Sequence, residues 1–584
     1  MKSPTKSPKI QPSRAQRRPR VVATTLLTAV LAASAHGATN TWTGSAGSTD
    51  WATVANWDTG AITSGDALVF TSANASASNT LTNTLATSFT AAGITFNSGA
   101  LGYTMTGNAF NLSAALANNA SGVTEAFNND VVLTNTGATS TWTLNSGTTT
   151  TFNGSLTSSA NIRTVFWGAS ATAAGGTINL NGATNLTFGG SNFSALILRG
   201  SGTVLNVGST GSLTVSSAGQ ANSGFFNIGN EGSAGNVTVN IASGGSIAIN
   251  GTGSGTKPTS SIGGKAGDVA DVNISGTMSY GSGTNLAIGS TSGTTTVDIN
   301  DGGVLNLNDS ARSVAVAASG TITINSGGTM TSARTWGAST GNLVLAGGTF
   351  QATAAQTLDS GLLVSTTDAG STIDTNGNTV SIGSAISGSG GLIKAGTNTL
   401  TLSGANAFTG ATTINAGTLK VNGSIGASSG VTINGSGATL AGTGTVSGIT
   451  LTSGTITPGD GGIGTLTASS LDWAGGNTLT FDLSSVDSTA DLLSLSGALT
   501  KSGSGTYAID FSGGLAGQTY TLINFGSNSG FSVGDFSVNS GISGTFDLSG
   551  TSLTFTAVPE PHEFALAIIA LLGVMVFIRR RRLE

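Results

Sequence analysis

The sequence predicts an all-β protein built as a β-solenoid, in the form of a right-handed parallel β-helix, with an N-terminal signal helix and a C-terminal single transmembrane helix. Three observations predict it. Apolar and polar residues alternate, as in Val237-x-Val239-x-Ile241 and Ile322-x-Ile324, which is the period of a strand with one buried face. Segments of the same texture recur at spacings of about 25 to 34 residues, the range of stacked repeats. No stretch of the body shows a long 3.6-residue stripe, so parallel strands must be joined by coils rather than by crossover helices.

The repeats make the case in order along the chain. Gly235–Asn250 reads GNVTVNIASGGSIAIN, Gly293–Asn308 reads GTTTVDINDGGVLNLN, and Gly320–Ser332 reads GTITINSGGTMTS. Looser copies are Gly211–Ser217 and Ala270–Tyr280, and Ile-Gly pairs recur at Ile228-Gly229, Ile262-Gly263 and Ile288-Gly289. Asn-Ser-Gly-Gly and Asp-Gly-Gly turn the chain, because Gly and Asn accept positive φ at little cost. The 8 prolines in the chain leave few places where strand pairing is forbidden. A string of β-sandwiches also shows closely spaced turns and is the alternative architecture. Coils of about 25 residues would give on the order of 20 coils, each rising about 4.8 Å.

Composition then removes most chemistry. The chain has 584 residues, of which 89 are Gly, and only 8% are charged. A hydrophobic fraction of 38% with so little charge argues against disorder. Without Cys, disulfide scaffolds, Cys-ligated zinc and thiol catalysis are excluded. The two histidines, His36 and His562, lie beside the terminal segments, so the body has no imidazole for a triad or a metal site. Between Val21 and Val558 stand nine basic and 22 acidic residues, a net charge of −13. Such a body repels nucleic acid, which rewards dense basic patches. No cofactor and no resident metal are expected.

The two ends read as processing signals. Seven basic residues precede Val21, an apolar run follows through Ala33, and Ala33-Ser34-Ala35 offers the small-x-small pattern of signal-peptide cleavage, with Ala35-His36-Gly37 as a second possible cut. Arg17-Arg18 lacks the following residues of a twin-arginine signal. At the other end, Phe564–Ile578 is an uncharged run of 15 residues. As a helix it would reach roughly 22 Å, a short span that flanking arginines can assist by snorkelling. Arg579, Arg580, Arg581 and Arg582 follow at once, and positive charge favours the cytoplasmic side.

Directly before that run stands Val558-Pro559-Glu560-Pro561. Pro-Glu-Pro, an apolar run and a terminal arginine cluster together resemble the PEP-CTERM sorting signal. The resemblance implies that Pro559, Glu560 and Pro561 are recognised by an exosortase-type membrane protease and that Arg579–Arg582 form a cytoplasmic stop. It also implies passage through the inner membrane to the cell surface or extracellular matrix, transiently or permanently anchored. His562-Glu563 departs from the small or hydroxyl residues common there. Gly390–Gly423, GGLIKAGTNTLTLSGANAFTGATTINAGTLKVNG, resembles the autotransporter-associated β-strand repeat. Gly390, Leu392, Lys394, Thr399, Leu400, Leu402, Gly404, Asn406, Phe408 and Gly410 match it, and Asn398 stands where Gly is usual. The resemblance implies a passenger-like β-helix, although the chain shows no C-terminal run of alternating membrane strands.

These readings divide the chain into a signal peptide (1–37), a Trp-containing cap with the first coils (38–190), irregular solenoid repeats (191–370), the autotransporter-associated repeat (371–423), a C-terminal β region (424–556) and the sorting signal (557–584, with its transmembrane helix at 564–578). Candidate chemistry in the body is thin. Asp268, Asp271, Asp298 and Asp301 could supply a carboxylate pair, with Asp271 and Asp298 stacked one coil apart, or a calcium site; good turn chemistry explains the same residues. Gly263–Asp271 is a distant echo of the calcium-binding nonapeptide. Trp42, Trp51 and Trp57 could stack carbohydrate or close the first coil. Phe225-Phe226 reads as core. Thr-x-Thr runs at Thr294–Thr296 and Thr399-x-Thr401 could form a hydroxyl ladder for ice or polysaccharide, which requires strict register. The expected function is a non-enzymatic, surface-displayed or matrix β-helix of adhesin-like character. Its partners would be signal peptidase, the exosortase-type protease and, as a candidate ligand, extracellular polysaccharide. The alternatives are a polysaccharide-acting enzyme and a polysaccharide- or ice-binding β-helix.

Overall fold

The computed structural model describes residues 37–558, except 73–77, 136–138, 159–161, 163, 169–173, 190–193, 218–222, 230–235, 252–258, 282 and 359–360, together with Leu572, Val574, Met575, Ile578 and Arg579. Strands dominate. Through most of the chain a strand pairs in parallel with the strand three ahead of it, so that one coil contributes three strands to three separate faces. On the second face, for example, Thr177–Leu180 pairs with Thr203–Val207, which pairs with Asn236–Ile241. The first face begins with a twelve-stranded sheet running from Thr39–Trp42 to Thr335–Trp336. The second is a thirteen-stranded sheet running from Thr80–Asn83 to Ile386–Ser387. The third starts at Thr90–Ala91. Sequential parallel pairing of this kind excludes the β-sandwich alternative, whose strands pair mainly in antiparallel. Towards the end, Val431–Gly442 and Ile449–Pro458 each pair with neighbours on two faces, passing round a corner.

Alternation does what the sequence predicts. Ile178 and Leu180, Leu205 and Val207, then Val237, Val239 and Ile241 point inward on successive rungs, each at most 1% exposed. Each such side chain contributes about 1.5–3 kcal/mol by leaving water. Near the N-terminus the interior is filled by rings: Phe70 stacks on Phe96 at 5.3 Å, Phe127 on Phe152 at 5.0 Å, and Trp142 on Trp167 at 5.5 Å.

On the second face the unequal repeat length is taken up at the corners, not in the sheet. Hydrogen-bonded neighbours on the second face are separated by 27 residues at Asn179 and Asn206 but by 34 at Asn206 and Asn240. The pairing is nevertheless unbroken from Thr149 to Asn342. The corner between the second and third faces is tight where Gly-Gly recurs, at Gly244-Gly245, Gly302-Gly303, Gly327-Gly328 and Gly347-Gly348. A Cβ on Gly303 would run into the carbonyl of Ile274, one coil below, and one on Gly328 into the carbonyl of Ile299. The backbone amide of Asn300 donates to Ile274 in that same corner, at 2.8 Å. Close backbone approach, rather than turn type alone, selects glycine there.

Both ends of the solenoid are closed by irregular segments. At the N-terminus, Thr43 N donates to Asn56 O at 2.7 Å and Asp58 N to Thr41 O at 3.1 Å, covering the first-face edge. Trp51 N donates to Thr82 O at 2.9 Å over the second-face edge, and Gly65 N to Thr90 O at 2.8 Å over the third. At the C-terminus Thr519–Asn524, Ser552–Ala557 and Gly544–Ser549 turn antiparallel. Exposed strand edges are templates for unwanted pairing, and both devices blunt them.

The two terminal helices of the predicted fold require correction. Among the described residues no helix is long and apolar enough to cross a membrane. The named helical elements are two three-residue 3-10 turns, Val54–Asn56 and Val533–Asp535. The signal segment and most of 564–578 lie outside the described residues; Leu572, Val574, Met575, Ile578 and Arg579 have helical backbone but make no spanning element. The physical reason is length: 15 apolar residues fall short of the ~20 that a full crossing takes. The transmembrane helix, and with it the localisation by a C-terminal membrane anchor, is withdrawn.

Candidate functional site

The residues proposed for processing, Ala33, Ala35, Pro559, Glu560, Pro561 and Arg580–Arg582, lie outside the described residues; Arg579 is described. The candidate residues of the body can be placed.

The three N-terminal tryptophans belong to the cap. Trp42 and Trp51 are 0% exposed and Trp57 is 4% exposed. Trp42 packs edge-on against Trp57 at 5.2 Å, and Trp51 lies 5.5 Å from Phe110. Such burial leaves no ring face for a sugar. Asn56 organises the segment: its amide nitrogen donates to Ser48 O at 2.9 Å and Asp50 O at 3.1 Å, and its oxygen accepts from Ala46 N at 3.2 Å. Phe225 and Phe226 are core residues, as expected.

The aspartates do not assemble. Asp271 is opposite Thr296 and Asp298 is opposite Asn273, so the two carboxylates are offset by a residue pair rather than stacked. Asp268 is buried and accepts from Lys265 N at 2.9 Å as a turn residue. Among the described residues no group of three or more His, Cys, Asp or Glu could hold a metal ion.

The autotransporter-type repeat is a set of staples between coils. Lys394 is fully buried, with its ammonium donating to Thr375 Oγ1 at 3.0 Å and to the carbonyls of Ala395, Gly396 and Ala416 at 2.9, 2.7 and 3.0 Å. These partners come from the coil before, its own coil and the coil after. Burial pushes its pKa down to about 8, against a smaller opposing effect of Asp374. Asn406 bridges in the same way: its oxygen accepts from Ile386 N at 2.9 Å, and its nitrogen donates to Gly404 O at 3.0 Å and Ser424 O at 2.9 Å. Asn398 has φ of 78°, the left-handed conformation expected of a residue standing in for Gly.

Sequence reasoning missed three buried ionisable groups and one surface. Arg334, 0% exposed, donates to the carbonyls of Thr284 at 2.6 Å and Tyr280 at 3.0 Å, fifty or more residues back. Burial lowers its pKa, with Asp309 acting in the opposite sense. Glu125 is also 0% exposed; one carboxylate oxygen accepts from Tyr103 N at 2.6 Å, while Oε1 has no partner. Its pKa is pushed up to about 7 by burial. Asp491 accepts from Gly464 N and Asp482 N, both at 2.8 Å, and burial raises it to about 6. Single inward-facing charges have no periodic signature.

The surface is a polar ladder on the outward side of the second face. Asn206 Nδ2 donates to Asn179 Oδ1 at 2.9 Å, Asn240 to Asn206 at 2.8 Å, and Asn273 to Asn240 at 2.9 Å. Asn179 closes the lower end on Thr151 Oγ1 at 3.0 Å. Two residues away along each strand runs a second column, Thr149, Thr177, Val204, Thr238, Asp271, Thr296 and Thr321. Thr296, one of the residues expected in a hydroxyl ladder, is in this column and donates to Asp271 Oδ1 at 2.9 Å. The ladder was visible in principle as an Asn between the apolar residues of TINL, VLNV, TVNI and DVNI.

Comparison with known proteins agrees with the fold. The family model described as Passenger-associated-transport-repeat matches residues 392–421, the segment of the Lys394 and Asn406 staples. Over 240 residues the chain is 32% identical to "Adhesin BmaC autotransporter" of Brucella suis biovar 1 (strain 1330), an alignment covering 35% of this chain and 7% of that protein. The chain therefore spans a small fraction of that relative's length. The coil architecture, the repeat and this similarity together describe a structural, adhesin-like parallel β-helix protein.

Proposed function

We propose that this protein is an exported, non-enzymatic component of the cell surface or extracellular matrix that acts by many weak contacts along its sheet faces. The observation that carries the reading is the continuous stack of in-register coils, closed at its N-terminal end and stapled internally, with its buried charges spent on backbone groups rather than gathered round a cavity. Repeated, equivalent surface positions convert weak single contacts into avidity. The adhesin similarity and the passenger repeat support the same reading. Cleavage by signal peptidase at Ala33 or Ala35, and recognition of Pro559, Glu560 and Pro561 by an exosortase-type protease, complete the proposal; a membrane anchor is no part of it.

The test is fractionation of the native host with intact-mass measurement of the mature protein, followed by adhesion of the purified protein to host biomass. A mature form lacking both ends, recovered from the surface or matrix and adhering to biomass, is the expected result. A full-length form confined to the cell interior would overturn the reading.

A further inference from the structure

We infer that the second face is a binding surface for a neutral, hydroxyl-rich polysaccharide, lying along the Asn179–Asn273 ladder and its threonine column. The inference rests on the adhesin-like reading and names its ligand class.

The first argument is hydrogen-bond capacity. An amide nitrogen carries two hydrogens and its oxygen two lone pairs. Each rung of the ladder spends one hydrogen on its neighbour, which orients the group and leaves a donor and an acceptor available. The threonine hydroxyls beside it both donate and accept. Sugar hydroxyls need partners of both kinds side by side. Pre-orientation by the ladder lowers the entropy cost of binding them.

Charge is the second argument. The two columns from Thr149 to Thr321 contain no Lys or Arg. Polyanions are repelled by a body of net charge −13 and find no cations on this face. The only charges in the columns are Asp271 and Asp298, and a carboxylate accepts well from adjacent hydroxyls. The same two charges interrupt the uniform hydroxyl array that would order ice-like water, so ice is the weaker ligand. Val204 is the one apolar residue in the two columns, and the large apolar side chains that anchor protein partners are absent from them.

Spacing is the third. Rungs recur every ~4.8 Å and alternate residues along a strand every ~6.6 Å. Two rungs therefore span about 9.6 Å, close to the length of a disaccharide unit in an extended β-linked glycan. Because the register is unbroken, successive disaccharides meet the Asn179–Asn273 ladder at one spacing, with Val204 and Asp271 the departures in the threonine column.

The experiment is affinity electrophoresis of the full chain in gels containing hydroxyethyl cellulose, with alginate as the polyanion control and ice-recrystallisation inhibition measured in parallel. Variants are T177K/T321K on the second face and T143K on the first. The wild type should be retarded by the neutral glucan and not by alginate. T177K/T321K should lose at least tenfold in affinity at an unchanged circular-dichroism melting curve, while T143K binds as wild type. Equal behaviour of the two variants, retardation by alginate alone, or activity on ice alone would overturn the inference. Adhesion to biomass that persists in T177K/T321K would overturn it while leaving the structural reading intact. Absence of adhesion by the wild type would overturn the reading itself.

Discussion

The Lys394 ammonium and the Thr375 hydroxyl, 19 residues apart in the chain, meet at 3.0 Å inside a corner of the solenoid. The contact belongs to a charge that is fully buried and paired with no carboxylate there, only with the hydroxyl and three carbonyls. It shows how this fold uses a buried ammonium: as a multivalent donor that ties consecutive coils.

Replacing Lys394 by Met removes the donor and leaves its acceptors buried. Each unsatisfied buried group costs roughly 1–3 kcal/mol, so K394M should lose about 3 kcal/mol or more of local stability. Hydrogen exchange should quicken across residues 372–421 and stay unchanged in the coils before Thr177. Unchanged exchange near Lys394 would contradict the staple.

Stability should pass through a minimum near neutral pH. Glu125 is raised from 4.5 to about 7 and Asp491 from 3.8 to about 6. Both bind more protons folded than unfolded, so their contribution is full in acid and is lost as pH rises through those values. Lys394 is lowered from 10.5 to about 8. Between pH 8 and 10.5 the unfolded chain binds more protons at this position, so stability rises with pH there. Exchange rates corrected for intrinsic pH dependence should be fastest between pH 7 and 8. Glu125→Gln should flatten the acid limb in the coils around residues 103–152 and leave the alkaline limb of the Lys394 coil in place.

The Gly-Gly corner separates backbone clearance from flexibility. Gly303→Ala places a Cβ against the Ile274 carbonyl, whereas a Cβ on Gly437 meets nothing within 4 Å. G303A should lower the thermal midpoint by several degrees, in line with a cost of about 2 kcal/mol. G437A should leave it level or raise it slightly, through reduced freedom of the unfolded chain. Equal midpoints for the two variants would refute the clearance argument.

Asn56 is the centre of the N-terminal closure. Asn56→Ala removes the three bonds to Ala46, Ser48 and Asp50 and should loosen the segment over the first-face edge. Sedimentation velocity should then show concentration-dependent self-association that the wild type lacks, since uncovered strand edges pair with one another.

Much of the architecture was legible because period-two alternation and recurrent Gly-Gly are local signals repeated many times. Val237, Val239 and Ile241 announced their inward face, Asn398 its left-handed φ, and the segment around Lys394 and Asn406 its repeat. The offset of Asp271 from Asp298 was not legible, because repeat length alone does not state which residues fall opposite one another. The tryptophans could be read as cap or platform until burial decided between them.

By itself the sequence determined the strand period, the glycine corners, the acidic, histidine-free body and the coil-by-coil economy of the fold, since each depends on residues close together in the chain. Only the tertiary structure decided the register. Corners that differ by several residues bring Asn179, Asn206, Asn240 and Asn273 into one column, because the sheets must keep every backbone donor paired while loops at the surface absorb the difference. The partners of Glu125, Arg334 and Lys394 were decided in the same way, by which coil lies above and below.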